Sequence, residues 1–230
     1  MTRWIMPVAL ALAAGCSNLS EVDGVVVALE VTLPAPSIIE VNESLQLSAR
    51  ALNKDGDSVA AAIVWTAADP TLTVDASSGL LTGVAPGTGR VQASEGTLTS
   101  GVLTFSVIAP ADTIIIAGDS VFTVAPGIDA SAPLVVRVES YAPAGPVEGR
   151  SVIYALTSPD PATTTPAVVF PNGQSEDTAV TAVDGTIQAM VLTRLAGLTS
   201  PDTAIVTVRA TRTRGTVVPG SGQRFIVLFP

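Results

Sequence analysis

Short runs in which apolar and polar residues alternate, each closed by a Gly, Pro or Asp turn signal, set the limits on what this chain can fold into. Glu43 to Leu52 is the clearest: Leu45, Leu47, Ala49 and Ala51 face one way, and Gln46, Ser48 and Arg50 the other. That period of two belongs to a strand with one buried face. From Val25 onward no stretch sustains a helical period. Further strand-length runs are Val25–Leu33, Ile63–Thr66, Gly89–Ala93, Leu98–Val107, Thr113–Ala117, Pro133–Ser140, Arg150–Thr157, Ala167–Phe170, Thr186–Leu195, Thr203–Thr213 and Gln223–Phe229. Among the punctuation between them are Pro34, Pro36, Asp55-Gly56, Asp69-Pro70, Ser78-Gly79 and Pro86-Gly87. Composition points the same way, since 31 Val and 26 Thr in 230 residues favour a pleated, half-buried surface. The expectation is an all-β chain of about fourteen short strands in two tandem sandwiches. Trp65, in a central strand, is expected to pack between sheets rather than stack on a ligand.

Residues 1–15 read as a cleaved export signal. Arg3 supplies a short positive region, and Ile5 to Ala14 is apolar but too short to span a membrane, which takes ~20 residues. Leu12-Ala13-Ala14-Gly15-Cys16 resembles a bacterial lipoprotein lipobox, with Ala13 where that motif usually carries its leucine. The resemblance implies diacylglycerol on the Cys16 thiol and a polar tether over 16–24. Two acyl chains, at about 0.8 kcal/mol per buried methylene, hold a protein on a membrane where a single chain is marginal. Ser17, in place of an aspartate, favours delivery to the outer membrane.

Residues 25–108 resemble the second group of bacterial immunoglobulin-like domains, found in intimin- and invasin-type surface proteins. The resemblance rests on Ser44 to Ala49 with the Lys54-Asp55-Gly56 turn, on Val64-Trp65-Thr66 with Asp69-Pro70, and on Val74 with Ser78-Gly79-Leu80. Its most specific segment is Thr82-Gly83-Val84-Ala85-Pro86-Gly87-Thr88, where Gly83 and Gly87 permit backbone angles that other residues resist. Ile108 to Ala111 forms a boundary too short for a flexible linker. Residues 109–230 look like a second immunoglobulin-like sandwich of the invasin type, through Gly145 to Gly149 before Ser151 to Tyr154 and through Thr181 to Thr186.

The chain has no histidine and a single cysteine, so histidine-dependent nucleophile systems, His-liganded metal sites and an intrachain disulfide are excluded. Its 11 Lys+Arg against 20 Asp+Glu give a net charge of −9, which argues against nucleic acid. Acid–base chemistry would have to come from carboxylates, Tyr141, Tyr154 or Lys54. Seven of the twelve aspartates sit in turn signals (Asp55, Asp57, Asp69, Asp75, Asp160, Asp184 and Asp202), where aspartates bond their own backbone. Glu176-Asp177, the adjacent acidic pair, is expected in a polar loop. Asn53 to Asp57 superficially suits calcium but lacks an EF-hand's glycine position and distal glutamate. Asp112 is the residue a calcium-stiffened domain junction would use. Arg209, Arg212, Arg214 and Arg224, with Arg150 and Arg194, gather in the second domain, either to protect strand edges or to meet an anionic glycan.

These readings lead to a non-catalytic envelope or surface lipoprotein without cofactor or metal. It would be exported and lipid-anchored, with the outer membrane or cell surface as its place. Its domains would act as spacer and adhesion or protein-interaction modules. Carbohydrate or cell-wall binding is the alternative.

Overall fold

The computed structural model describes residues 25–162, 167–195 and 203–230. The expected export signal, Cys16 and the expected tether lie outside them, as does Asp202. The chain is all-β. The first sandwich contains β1 (Ala28–Thr32), β2 (Ile38–Glu40), β3 (Ser44–Gln46), β4 (Ser48–Leu52), β5 (Ser58–Val59), β6 (Val64–Ala67), β7 (Leu72–Val74), β8 (Leu80–Gly83), β9 (Gly87–Glu95), β10 (Leu98–Thr99) and β11 (Leu103–Ile108). The second contains β12 (Thr113–Ile116), β13 (Val121–Thr123), β14 (Val136–Tyr141), β15 (Ala144–Pro146), β16 (Ser151–Ser158), β17 (Val168–Val169), β18 (Glu176–Val180), β19 (Thr186–Ile187), β20 (Thr193–Arg194), β21 (Thr203–Ala210) and β22 (Arg224–Leu228).

In the first sandwich one layer is formed by β1-β4-β5 and β3-β8-β7, and the other by β10-β9-β11-β2 with β6 on β9. β3 and β4 fall within the predicted Glu43–Leu52 run, interrupted at Leu47, whose N–H donates to Gly79 O at 3.0 Å. The core takes side chains from both layers, including Ile39, Leu47, Trp65, Leu72, Leu81, Val91, Phe105 and Val107. Trp65 is 5% exposed, as its strand position required. It packs on Gly79, where an added Cβ would stand 2.6 Å from the indole Nε1.

The second sandwich pairs the sheet β12-β14-β15, with β19 on β14, against β13-β22-β21-β16-β18. Ile114, Val136, Val138, Val152, Tyr154, Val206, Val208, Phe225 and Val227 meet between them. Both domains share one device: the first strand joins one sheet, and the chain then crosses to lie parallel to the last strand of the other. β1 pairs β4 while β2 runs parallel to β11, and β12 pairs β14 while β13 runs parallel to β22. This arrangement, with sheets exchanged at the first strand, is the immunoglobulin-like sandwich.

Several local expectations need correction. The run Thr186–Leu195 is not one strand: β19 and β20 are separated by Gln188 to Leu192, and they pair with β14 and β17 respectively. Leu98–Val107 also divides, because the Ser100 hydroxyl accepts from Ala93 N–H at 3.0 Å and breaks the ladder between β10 and β11. Glu176 and Asp177 open the edge strand β18 rather than lying in a loop. Gly87 has the positive φ its turn requires (143°), but Gly83 does not. Gly83 is needed for space, since a Cβ there would come within 2.5 Å of Glu40 O.

Candidate functional site at the domain junction

The carboxylates with the chemistry of turns are used in turns. Asp75 Oδ1 accepts from the N–H and hydroxyl of both Ser77 and Ser78, at 2.7–3.1 Å. The Ser78 N–H, the two hydroxyls and the Ser77 N–H hold its carboxyl down at about 2, from an ordinary 3.8. Because the folded value is the lower one, this contribution is present above about pH 4 and is lost as pH falls through about 2. A carboxyl-carbon NMR titration of Asp75 is expected to show a midpoint near 2 rather than near 4.

Asp184 is likewise lowered by the N–H and hydroxyl of Thr186. Asp69 is lowered by Arg90, which grips both of its oxygens at 2.9 Å. Asp160 accepts from Ala162 N–H. In the Asn53–Asp57 turn the Asn53 Oδ1 accepts from Asp55 and Asp57 N–H, so the side chain that a cation would use is turned onto its own backbone. Lys54 pairs with Asp55 on the surface. Asp177 accepts from Asn172 and Thr178 N–H. Tyr154 is fully buried, burial pushes its phenol up, and its hydroxyl donates to Leu134 O at 3.1 Å. Its partner in the acid–base reading, Tyr141, is 67% exposed.

The arginines give the decisive geometry. Arg150 precedes β16, Arg212 and Arg214 occupy the turn after β21, and all three meet the first domain at the end of β2. Glu40, the last residue of β2, is only 1% exposed. Its Oε1 accepts from the N–H and the hydroxyl of Thr213, each at 2.9 Å, and lies 3.0 Å from Arg150 Nη2. Its Oε2 lies 3.9 Å from Arg212 Nε. Arg212 also pairs with Asp112 at 2.5 Å and donates to Ala111 O at 3.1 Å. Arg214 faces Glu43 at 3.5 Å and donates to Ile38 O at 3.0 Å. Glu43 in turn accepts from Glu40 N–H at 2.8 Å.

Three arginines and three carboxylates therefore form one neutral network between the two sandwiches. At its buried centre Glu40 and Arg150 are stable only while matched, because desolvated ions recover their cost through each other, whereas Arg212, Arg214, Glu43 and Asp112 keep partial contact with solvent. Asp112, the candidate calcium ligand, is taken by Arg212 and by Tyr141 N–H at 2.7 Å. No group of three or more potential metal ligands occurs among the described residues.

The sequence readings of the arginine cluster thus need revision. Arg212 and Arg214 lie at the domain junction, paired with Asp112, Glu40 and Glu43, rather than guarding a sheet edge, and Arg209 lies on the interior strand β21. Arg194 stacks over the Phe229 ring at 5.2 Å. Glu40 was not singled out from sequence. The available signal was its position: an acid following Ile38-Ile39 in an apolar run, with Arg150 and Arg212 more than a hundred residues away.

No protein-family model and no curated protein matches the chain. Solved structures with a similar arrangement of strands include the Yersinia pseudotuberculosis adhesin InvE, at 16% identity and a TM-score of 0.42, covering 87% of this chain and 58% of that one. Domains 4 and 5 of the S-layer protein SbsC are 20% identical, with a TM-score of 0.34 over 89% of this chain and 98% of that one. The fibronectin(III)-like modules of Clostridium thermocellum CbhA are 14% identical, with a TM-score of 0.38 over 87% and 94%. The chain spans a little over half the length of the InvE chain.

Proposed function

We propose that this is a non-catalytic lipoprotein of the bacterial cell envelope, anchored through lipid on Cys16, whose two immunoglobulin-like domains form a stiff spacer carrying an interaction surface. The junction carries this reading. Arg150, Arg212, Glu40 and Asp112, the groups best able to bind or transform a charged substrate, are instead spent in joining one domain to the next. The titratable turn residues are held by their own backbone, and Tyr154 is closed within the core. A junction built in this way holds the two domains, and the surfaces they carry, at a fixed distance and orientation.

Carbohydrate binding is the second reading, and it rests on Tyr141, the one strongly exposed aromatic among the described residues. A sugar site ordinarily presents more stacking surface than one ring.

Anchoring is tested by expressing the full chain in a bacterial host fed an alkyne-tagged fatty acid. The expected result is a tagged, membrane-associated protein that begins at Cys16, and loss of both tag and membrane association in Cys16→Ser. A protein that retains Met1 and fractionates with soluble material would contradict it.

A further inference from the structure

The outward face of the distal sheet β13-β22-β21-β16-β18 is only partly polar. Alternation turns Val152, Tyr154, Val206, Val208, Phe225 and Val227 into the core, so Ile153, Ala155, Ile205, Thr207, Ile226 and Leu228 lie on the outer side, each only partly exposed. Val121, paired with Ile226, extends the apolar strip and is 53% exposed. A shallow groove of about 480 Å³ runs over Ile153, Ala155 and Thr207, with Glu176 and Arg209 among its walls.

Register places charge on this face in a particular way. Glu176 pairs with Ala155, Ala155 with Thr207, and Thr207 with Arg224. One row therefore crosses four strands from a carboxylate, over two small residues, to a guanidinium. Arg209 lies diagonally beside Arg224, two residues along β21 from Thr207, so two like charges sit close together. Glu176, Arg209 and Arg224 are exposed and make no ion pair among the described residues, although the other arginines of this domain are engaged.

We propose that this face is the interface of a parallel homodimer, and that its occupant is the same face of a second copy. The row is self-complementary. Rotation by 180° about an axis parallel to the strands, above the midpoint between Ala155 and Thr207, lays Glu176 of each copy over Arg224 of the other. At the ~10 Å separation of packed sheets it sets Ala155 of each copy over Thr207 of the other, and Ile205 of each over the end of β16 of the other. Each charge contact occurs twice, as in any isologous interface. The same axis has a second consequence. The domains join at strand ends, through the end of β2, the start of β16 and the turn after β21, so an axis along the strands keeps both copies pointing the same way. Two chains held in one membrane by their N-termini could form this dimer without reversing either. The proposal itself stands on the face and not on the anchor.

Light scattering and sedimentation of the chain from Ser17 onward test it without any lipid. The expected result is a concentration-dependent dimer, weakened at least about tenfold by Glu176→Arg or by Arg224→Glu, since each reversal sets two like-charge contacts in the interface. The double variant E176R/R224E restores the pairing with its sign inverted and should recover the dimer. Circular dichroism and thermal melting report whether each variant is folded. A wild-type monomer at all accessible concentrations would overturn the proposal. So would a dimer indifferent to both reversals, or one that the double variant fails to restore.

Discussion

Replacing Glu40 with alanine is expected to lower stability by about 3–5 kcal/mol, the range for removing one partner of a buried ion pair. The side chain is 1% exposed, and without it Arg150, itself 8% exposed, keeps a charge with no carboxylate at 3.0 Å. Thr213 also loses the acceptor for both its N–H and its hydroxyl. The cost arises from these abandoned groups and not from the intrinsic worth of the ion pair. A paired replacement therefore separates the causes. Glu40→Met with Arg150→Met removes both charges together and should recover part of the loss, leaving mainly the unsatisfied Thr213 N–H, at roughly 1–3 kcal/mol. Denaturant unfolding of the three proteins measures both effects. Equal stability of wild type and Glu40→Ala would mean that the carboxylate is not part of the junction's structure.

The second large effect is expected at Tyr154. Its ring is fully buried in the second core and meets Phe170 edge-on, with centroids 6.4 Å apart and planes at 62°. Tyr154→Ala removes a whole aromatic side chain and should cost about 3–5 kcal/mol. Tyr154→Phe keeps the packing and loses one hydrogen bond. It leaves Leu134 O without its 3.1 Å donor, so roughly 1–2 kcal/mol is expected. The contrast between the two also bears on function. A tyrosine acting as an acid or base would show its hydroxyl through lost activity, whereas here Tyr154→Phe should change stability alone. Thermal or denaturant melts give the two values directly.

Much of the fold was legible because strand periodicity is local. Leu45, Leu47, Ala49 and Ala51 announced their common face by spacing alone, and that face is the more buried one. Trp65 was placed in the core by its strand context. The short parallel strands were harder: Ile38–Glu40 and Val121–Thr123 have three residues each, too few to show alternation, and they are fixed by pairing with β11 and β22. The interruption of Thr186–Leu195 depends on two different partners, which no local pattern contains. Gly83 was recognised as necessary for the wrong reason, because the Glu40 carbonyl that crowds it belongs to a distant strand.

The junction was hidden for a related cause. An arginine cluster in sequence suggests a basic patch, yet charge at a surface depends on what lies opposite. Arg212 and Arg214 are close in the chain, but Glu40 and Glu43 come from the first domain and Asp112 from the start of the second, 100 residues before Arg212. Asp112 seemed a cation ligand for the same reason, since nothing local reveals that an arginine already occupies it. Only Arg209 and Arg224 keep the exposed character that the sequence assigned to the group as a whole.

The central claim, that the two domains form one stiff body through Glu40, is most directly tested by a distance between them. Spin labels at Lys54→Cys and Gln188→Cys, in the chain from Ser17 onward diluted with an excess of unlabelled chain so that only distances within one copy are read, place one exposed probe in each domain. Pulsed dipolar spectroscopy is then expected to give a single narrow distance distribution, which broadens when Glu40→Ala is added. A broad or multimodal distribution in the otherwise unaltered chain would contradict the account.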